Sequence, residues 1–399
     1  MIVGASLAGL RTAEELRAAG YEGAITLVGK ETHLPYDRPP LSKQLLTGAR
    51  TAADVTLRGQ ADLDRLDVQL LLGRTATSVD DERVVLDHVD AVPYSDLVVA
   101  TGVAARRLAN QPSSDNVHVL RTLDDAIRLR DHLGRARSLL VVGAGFIGAE
   151  VAAVARQQGL EVTMVEALAA PFARALGNQV GARCRRLHED HGVRIVTDAR
   201  VSSFASSASG ATLRLADGTA LEADCVLVGV GTTTNQHWLS GVGLAGAGGV
   251  ACDATGRVEG HRNLFAVGDV ASWQNPTFGA RHRVEHWTNA VEQAHVLAHT
   301  LLGVPPPRSN HEVPYFWSDQ YRTKLQLVGR PDLADTADLL ELPGRPGRLL
   351  GMYFRSSRLV AAVTFNAPAV LARLRPLVAA MTNEEAARAT AADLVGIAA

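Results

Sequence analysis

An α/β chain with two similar halves and a smaller α+β tail is what this sequence predicts, and three observations carry the prediction. The first is a strand–turn–helix unit: the apolar run Ser138-Leu139-Leu140-Val141-Val142 leads into Gly143-Ala144-Gly145-Phe146-Ile147-Gly148, and a helix is expected over 149–157. The second is a weaker copy, Met1-Ile2-Val3 followed by Gly4-Ala5-Ser6-Leu7-Ala8-Gly9, with a helix expected over 10–19. The third is a set of later apolar runs ending in small residues, at 97–102, 225–231 and 263–269. Two copies of one strand–turn–helix motif suggest an internal duplication.

The order within the stronger copy, at 138–157, gives it a mechanism. Gly143 permits the turn, Gly145 lets backbone approach a pyrophosphate, and Gly148 lets the helix pack closely on its strand. Free N–H groups and the helix dipole favour the phosphates there. A following strand, 161–165, ends at Glu166, about 20 residues on, where a carboxylate accepts from ribose hydroxyls and repels a 2′-phosphate. That favours NAD(H) over NADP(H). In the first copy, Ser6 takes the middle glycine position and is small enough to preserve close approach. Its second strand, 24–28, runs into Gly29-Lys30-Glu31, so the ribose acid is displaced by one position to Glu31 or replaced by Lys30, which is expected to be exposed.

Two nucleotide sites in one chain suggest one for FAD and one for NAD(P)H. The run 97–102, with Ala100-Thr101-Gly102, suits close approach to the first nucleotide, and 225–231, with Gly229-Val230, suits the second. The run 263–269 ends in Gly268-Asp269, where the aspartate can bind a ribityl hydroxyl or cap a helix.

Between these motifs, 80–87 and 210–220 read as hairpin strands, the latter turning at Asp217-Gly218. The loop-rich stretches 104–115 and 232–248 read as crossings between domains. A long helical region is expected over 281–302, and Pro305–Pro307 as a stiff linker. Strands are expected within 315–329 and 348–365, and helices over 367–379 and 384–399. The resulting division gives 1–107 and 238–314 to one nucleotide, 108–237 to the other, and 315–399 to a C-terminal domain.

Composition narrows the class. The chain has 399 residues, 47% apolar and 21% charged, which fits two or three globular domains. A formal charge of −2 points to neither nucleic acid nor an anionic membrane as partner. Lys30, Lys43 and Lys324 are the only lysines. Cys184, Cys225 and Cys252 are few and widely spaced, which suits a reducing compartment, and a cytoplasmic location is expected. No apolar run reaches the length of a membrane span. The first apolar run leads into a glycine turn without a basic segment ahead of it, so no signal peptide is expected. A three-residue first strand leaves room for further residues before Met1.

Three further stretches are specific: Pro35-Tyr36-Asp37-Arg38-Pro39-Pro40-Leu41-Ser42-Lys43, Leu120-Arg121-Thr122-Leu123-Asp124-Asp125-Ala126 and Phe316-Trp317-Ser318-Asp319-Gln320. With the two glycine motifs, they make the whole chain resemble the FAD-dependent, NADH-linked ferredoxin reductases of bacterial oxygenase systems, the putidaredoxin reductase and biphenyl dioxygenase reductase type. The resemblance implies a glutathione-reductase-like fold with two Rossmann-like domains and a C-terminal α+β domain. It implies FAD contacts from Ala8, Arg38, Lys43, Ala76, Arg121, Asp269 and Trp287, beside Gly4, Ser6, Gly9, Pro39 and the Ala100 and Gly268 turns. The family's ribose acid falls at Lys30, with Glu31 the substitute.

NADH contacts are implied for Phe146, Ile147, Glu150, Glu166, Arg174, Gly229, Val230, Glu285 and Trp317, beside Gly143, Gly145 and Gly148. Lys43 and Glu150 resemble a catalytic charge pair near flavin N5. The helix near Trp287 is expected to aim its N-terminus at the flavin N1 edge. The implied partner is a [2Fe–2S] ferredoxin, and through it a cytochrome P450 or Rieske oxygenase.

Competing readings share the architecture. A disulfide or peroxide reductase needs a redox cysteine in the loop that here reads Leu41-Ser42-Lys43. A rubredoxin or nitrite reductase flavoprotein, and a non-catalytic flavin-bound interaction protein, are the others. His282, His286, His295 and His299 suggest a metal, but no third ligand joins the i, i+4 pair His295 and His299, so no metal site is expected.

Overall fold

The computed structural model describes residues 1–87, 91–207, 210–246, 248–305, 313–344 and 346–395. Among these residues the α-helices are α1 (Leu7–Ala18), α2 (Gln60–Arg65), α3 (Leu123–Leu133), α4 (Phe146–Gln157), α5 (Ala173–Glu189), α6 (Trp287–Leu301), α7 (Pro368–Ala379) and α8 (Glu384–Val395). Contacts divide the chain into two units, Met1–Asp37 with Val55–Ala104 and Thr233–Phe316, and Arg38–Asp54 with Ala105–Thr232 and Trp317–Ala399.

The first unit is built on a parallel sheet in the order Leu264–Ala266, Leu97–Val99, Ile2–Val3, Ile25–Gly29, Val68–Leu72. Ile2 and Val3 are only two residues long as a strand, yet both are buried between neighbours on either side, so the short run still reads as continuous core. Helix α1 packs against α6, whose Ala290, Ala294, Leu297 and Ala298 recur at helical spacing and face inward. Small residues at these positions let the helix axes approach.

The second unit repeats the plan. Its parallel sheet runs Arg194–Val196, Glu161–Val165, Ser138–Val142, Cys225–Val228, Val117–His118. In both sheets the central strand ends in the glycine turn, and its two neighbours are the ribose-acid strand and the later small-residue strand. Strands buried on both faces are continuous apolar runs, which is why they were legible as such. The tail forms a second sheet in the order Tyr315–Gln320, Thr323–Gly329, Arg358–Phe365, Leu349–Arg355, Thr336–Glu341, with α7 laid on it.

Several expected boundaries move. Helix α1 starts at Leu7 and α4 at Phe146, three residues earlier than expected, because Ser6 and Gly145 are the N-caps and the last glycine of each motif lies inside the helix. The helix expected over 281–302 starts at Trp287. Ala280–Arg283 is instead a strand, paired antiparallel with Ala271–Asn275. Residues 306–307 of the expected linker and 396–399 of the last helix lie outside the described residues.

Candidate nucleotide and charge-pair site

The second glycine turn separates what the protein needs from what a ligand needs. A Cβ on Gly143 would lie 2.4 Å from the Gly229 carbonyl oxygen, and its φ of +95° disfavours any other residue. A Cβ on Gly148 would meet the Gly143 oxygen at 2.4 Å. Gly145 is different: nothing lies within 4 Å of a Cβ built there. The fold does not require glycine at that position, so the space it leaves fits a pyrophosphate approaching the N-terminus of α4. No side chain caps that helix, so its first N–H groups are not claimed by one.

Around this turn the expected residues gather. Glu166 follows the strand Glu161–Val165. Its Oε2 accepts from Ala144 N at 2.8 Å and its Oε1 from Leu168 N at 3.0 Å. Each oxygen keeps a second lone pair for a ribose hydroxyl. Gly229 N donates to Val142 O at 2.8 Å, which seats Gly229 and Val230 beside the turn. Phe146 packs on Phe172 at 4.9 Å between centroids. Ile147 and Leu168 are 40% and 37% exposed, two apolar side chains left uncovered beside the turn. Arg174 is exposed in the first turn of α5.

The first copy obeys the same constraints. A Cβ on Gly4 would stand 2.1 Å from Ala100 O, and one on Gly9 2.0 Å from Gly4 O. Ser6 is the N-cap of α1, and its side chain makes no cap hydrogen bond. Gly268 N donates to Gln293 Oε1 of α6 at 2.9 Å, and a Cβ on Gly268 would press on Ala8 at 2.8 Å. These contacts bring the Gly268–Asp269 turn, the start of α1 and α6 together.

Thr101 and Asn235 bond reciprocally, at 2.6 and 3.0 Å, beside Ala100 and Gly102. Ala76 is buried in the strand Ala76–Val79. Glu31 accepts from Tyr36 OH at 2.5 Å, while Lys30 is exposed. Trp287 Nε1 donates to Asp37 Oδ1 at 2.7 Å, tying the proline-rich loop to the start of α6. Glu285 pairs with Arg283 at 2.5 Å.

In the second unit the remaining loop residues converge on Glu150. Arg38 precedes the 3₁₀ turn Pro39–Ser42, and its guanidinium donates to the Arg121 carbonyl. That turn ends at Lys43, whose Nζ lies 2.7 Å from Glu150 Oε2. Ser42 Oγ donates to the same oxygen at 2.5 Å. Ser318 Oγ donates to Oε1 at 2.6 Å. Glu150 is 5% exposed on α4, one turn beyond the glycine motif. Trp317 is half-buried next to Ser318, in the strand Tyr315–Gln320. Ser42, Ser318, Gln320 and His188 were not singled out from sequence, although the first three lie inside quoted motifs.

All three cysteines are buried, and burial pushes the Cys225 thiol up to about 12 and raises Cys184 and Cys252 further. None is a thiolate nucleophile at neutral pH. His295 bonds Glu15 at 2.7 Å, and His299 bonds the His295 carbonyl at 2.9 Å, so this pair has structural partners. His118, His132 and Cys225 bring ligand atoms within 4.8 Å of one another. The two ring nitrogens, however, stand 2.8 Å apart, a hydrogen bond between rings. Two nitrogens on one tetrahedral zinc would stand about 3.3 Å apart.

A family model described as pyridine nucleotide-disulphide oxidoreductase matches residues 1–294, and one described as reductase C-terminal matches 315–395. Rhodocoxin reductase of Rhodococcus erythropolis is 38% identical over 343 residues, 84% of this chain and 79% of that protein. The ferredoxin–NAD(+) reductase component of the anthranilate 1,2-dioxygenase system of Burkholderia cepacia is 37% identical over 95% of this chain and 94% of that protein. The reductase in a crystal structure of the covalent putidaredoxin reductase–putidaredoxin complex superposes with a TM-score of 0.90 at 31% identity, covering 100% of this chain and 98% of that one.

Proposed function

This chain belongs to the ferredoxin–NAD(+) reductases of the pyridine nucleotide-disulphide oxidoreductase family, and from that premise we propose that it carries electrons from NADH through FAD to a [2Fe–2S] ferredoxin. The residues at the first glycine turn would hold FAD, which would supply a two-electron hydride acceptor able to release electrons singly. The observation that carries the reading is Lys43 against Glu150, at 2.7 Å, on the first helix after a glycine turn whose middle glycine faces open space. The terminal acceptor beyond the ferredoxin is a cytochrome P450 or a Rieske oxygenase.

The residues divide the work as follows. The α4 turn binds the NADH pyrophosphate, and Glu166 holds the adenosine ribose and excludes a 2′-phosphate. Phe146, Ile147, Arg174, Gly229, Val230, Glu285 and Trp317 complete the NADH set. Gly4, Ser6, Ala8, Gly9, Glu31, Arg38, Pro39, Ala76, Ala100, Thr101, Gly102, Arg121, Gly268, Asp269 and Trp287 hold FAD, with Lys43. Lys43 and Glu150 form a buried pair in which each charge stabilises the other, and they would present a fixed charge arrangement to the bound cofactors.

We assign 1–107 and 238–314 to FAD, 108–237 to NADH and 315–399 to a C-terminal domain. No described helix is long and apolar enough to cross a membrane. The three reduced, buried cysteines favour a cytoplasmic protein. The proline-rich loop carries Ser42 and Lys43 and no cysteine, and the three cysteines lie far from it in sequence, which disfavours a disulfide-reductase cycle. The deciding assay is NADH-driven reduction of cytochrome c with and without an added [2Fe–2S] ferredoxin. Ferredoxin-dependent turnover is expected; turnover indifferent to the ferredoxin would overturn the assignment.

A further inference from the structure

The hydrogen bonds beyond Glu150 have one permitted direction. A carboxylate only accepts, so the proton of the Ser318 hydroxyl is committed to Glu150 Oε1 at 2.6 Å. Ser318 Oγ must then accept from its other partner, Gln320 Nε2, at 3.2 Å. That fixes the amide, which presents Oε1 to His188 Nε2 at 3.0 Å. His188 therefore carries its hydrogen on Nε2, and its bare Nδ1 accepts from Tyr321 OH at 3.1 Å. Every donor in the series points towards Glu150.

The series is also dry. Glu150, Ser318, Gln320 and His188 are 5, 0, 2 and 0% exposed. It connects α4, the strand Tyr315–Gln320 and α5, and it ends at Tyr321, whose ring stacks on His191 at 3.6 Å. Burial, the largest influence, lowers the His188 pKa to about 4, with the Gln320 bond opposing and His191 adding to the shift. The neutral ring is the form present at neutral pH. An amide in the middle of the series passes no proton without becoming an imidic acid, so the series orients groups and does not conduct protons.

We propose that His188 is a positioning residue of the hydride-transfer site: as the neutral Nε2–H tautomer it fixes Gln320 and Ser318, and through them the orientation of the Glu150 carboxylate that meets Lys43. The proposal rests on the assignment of Glu150 to that site. Without His188, the Gln320 amide is free to turn, Ser318 loses its donor, and Glu150 loses a directed partner on Oε1. The carboxylate is then free to rotate, and its pairing with Lys43 loosens. Lys43 faces Glu150, His191 and Tyr321 lie against His188, and Arg156 lies beside His191 and Tyr321.

The test compares the holoenzyme with His188→Phe, Gln320→Leu and His188→Gln, which restores an N–H donor at similar reach. In stopped-flow mixing with NADH, the first two variants should reduce the flavin about fivefold more slowly with an unchanged NADH Kd, from the loss of one net hydrogen bond. His188→Gln should restore the rate. Nitrogen-15 NMR of the holoenzyme should show the Nε2–H tautomer of His188. An Nδ1–H tautomer, or an unchanged flavin-reduction rate in Gln320→Leu, would overturn the proposal. Wild-type flavin that NADH fails to bleach would instead overturn the assignment of function, leaving the tautomer reading intact.

Discussion

Lys43 and Glu150 meet at 2.7 Å with side chains 14% and 6% exposed, so each charge depends on the other for its solvation. Removing one partner from a buried pair leaves an uncompensated charge, at a cost of about 3–5 kcal/mol. Lys43→Met and Glu150→Gln should each lower the thermal midpoint of the protein and slow flavin reduction. The double variant should recover most of the stability and none of the rate. Additive losses in the thermal midpoint would show that the two side chains do not act as a pair.

Gly145 and Gly148 should separate binding from folding. Gly145 has open space on its Cβ side, whereas a Cβ on Gly148 meets the Gly143 carbonyl oxygen at 2.4 Å. Gly145→Val should weaken NADH binding by at least about tenfold, the equivalent of roughly 1.4 kcal/mol, while leaving the denaturation midpoint in place. Gly148→Val should lower that midpoint. Calorimetric NADH titration and urea denaturation read the two effects independently.

Cofactor choice depends on the charge at Glu166. Its oxygens also accept from Ala144 N and Leu168 N, so Glu166→Gln is the informative change, keeping an acceptor while removing the charge. The ratio of kcat/KM for NADH over NADPH should fall by about tenfold, the loss of roughly 1.4 kcal/mol of repulsion and hydrogen bonding. An unchanged ratio would remove Glu166 from the site.

Acid stability follows from the buried histidines. Burial lowers His188 and His118 from 6.5 to about 4, the proximity of His132 adding to the effect at His118. Between those values the unfolded chain binds protons that the folded chain refuses. Stability from these groups is therefore unaffected above pH 6.5 and declines as pH falls towards 4. Urea midpoints should drop between pH 7 and pH 5, and the drop should be smaller in His188→Gln. Equal drops would mean that His188 titrates normally.

Much of this was legible in the sequence because it is local. A glycine that must avoid a carbonyl, a strand buried on both faces and an acid after a strand each leave a mark within a few residues, so the glycine turns, the parallel strands and Glu166 could be placed. Helix starts were read late because glycines at 145 and 148 resemble loop, whereas the structure uses one as a cap and the other inside α4. Residues 281–283 read as helix in the sequence because their strand character comes from pairing with 271–275. The partners of Glu150 were invisible for a different reason. Ser42–Glu150, Ser318–Glu150 and His188–Gln320 are contacts across 108, 168 and 132 residues, and isolated Ser, Gln and His carry no periodicity that would announce them.

Electrons leave this protein one at a time for an iron–sulfur carrier. Enzyme reduced by one equivalent of NADH without oxygen, then mixed with oxidised [2Fe–2S] ferredoxin in a stopped-flow spectrometer, tests it directly. Each flavin should return to its oxidised absorbance as two ferredoxins are reduced. Flavin that stays reduced beside excess ferredoxin, with the ferredoxin spectrum unchanged, would contradict the account.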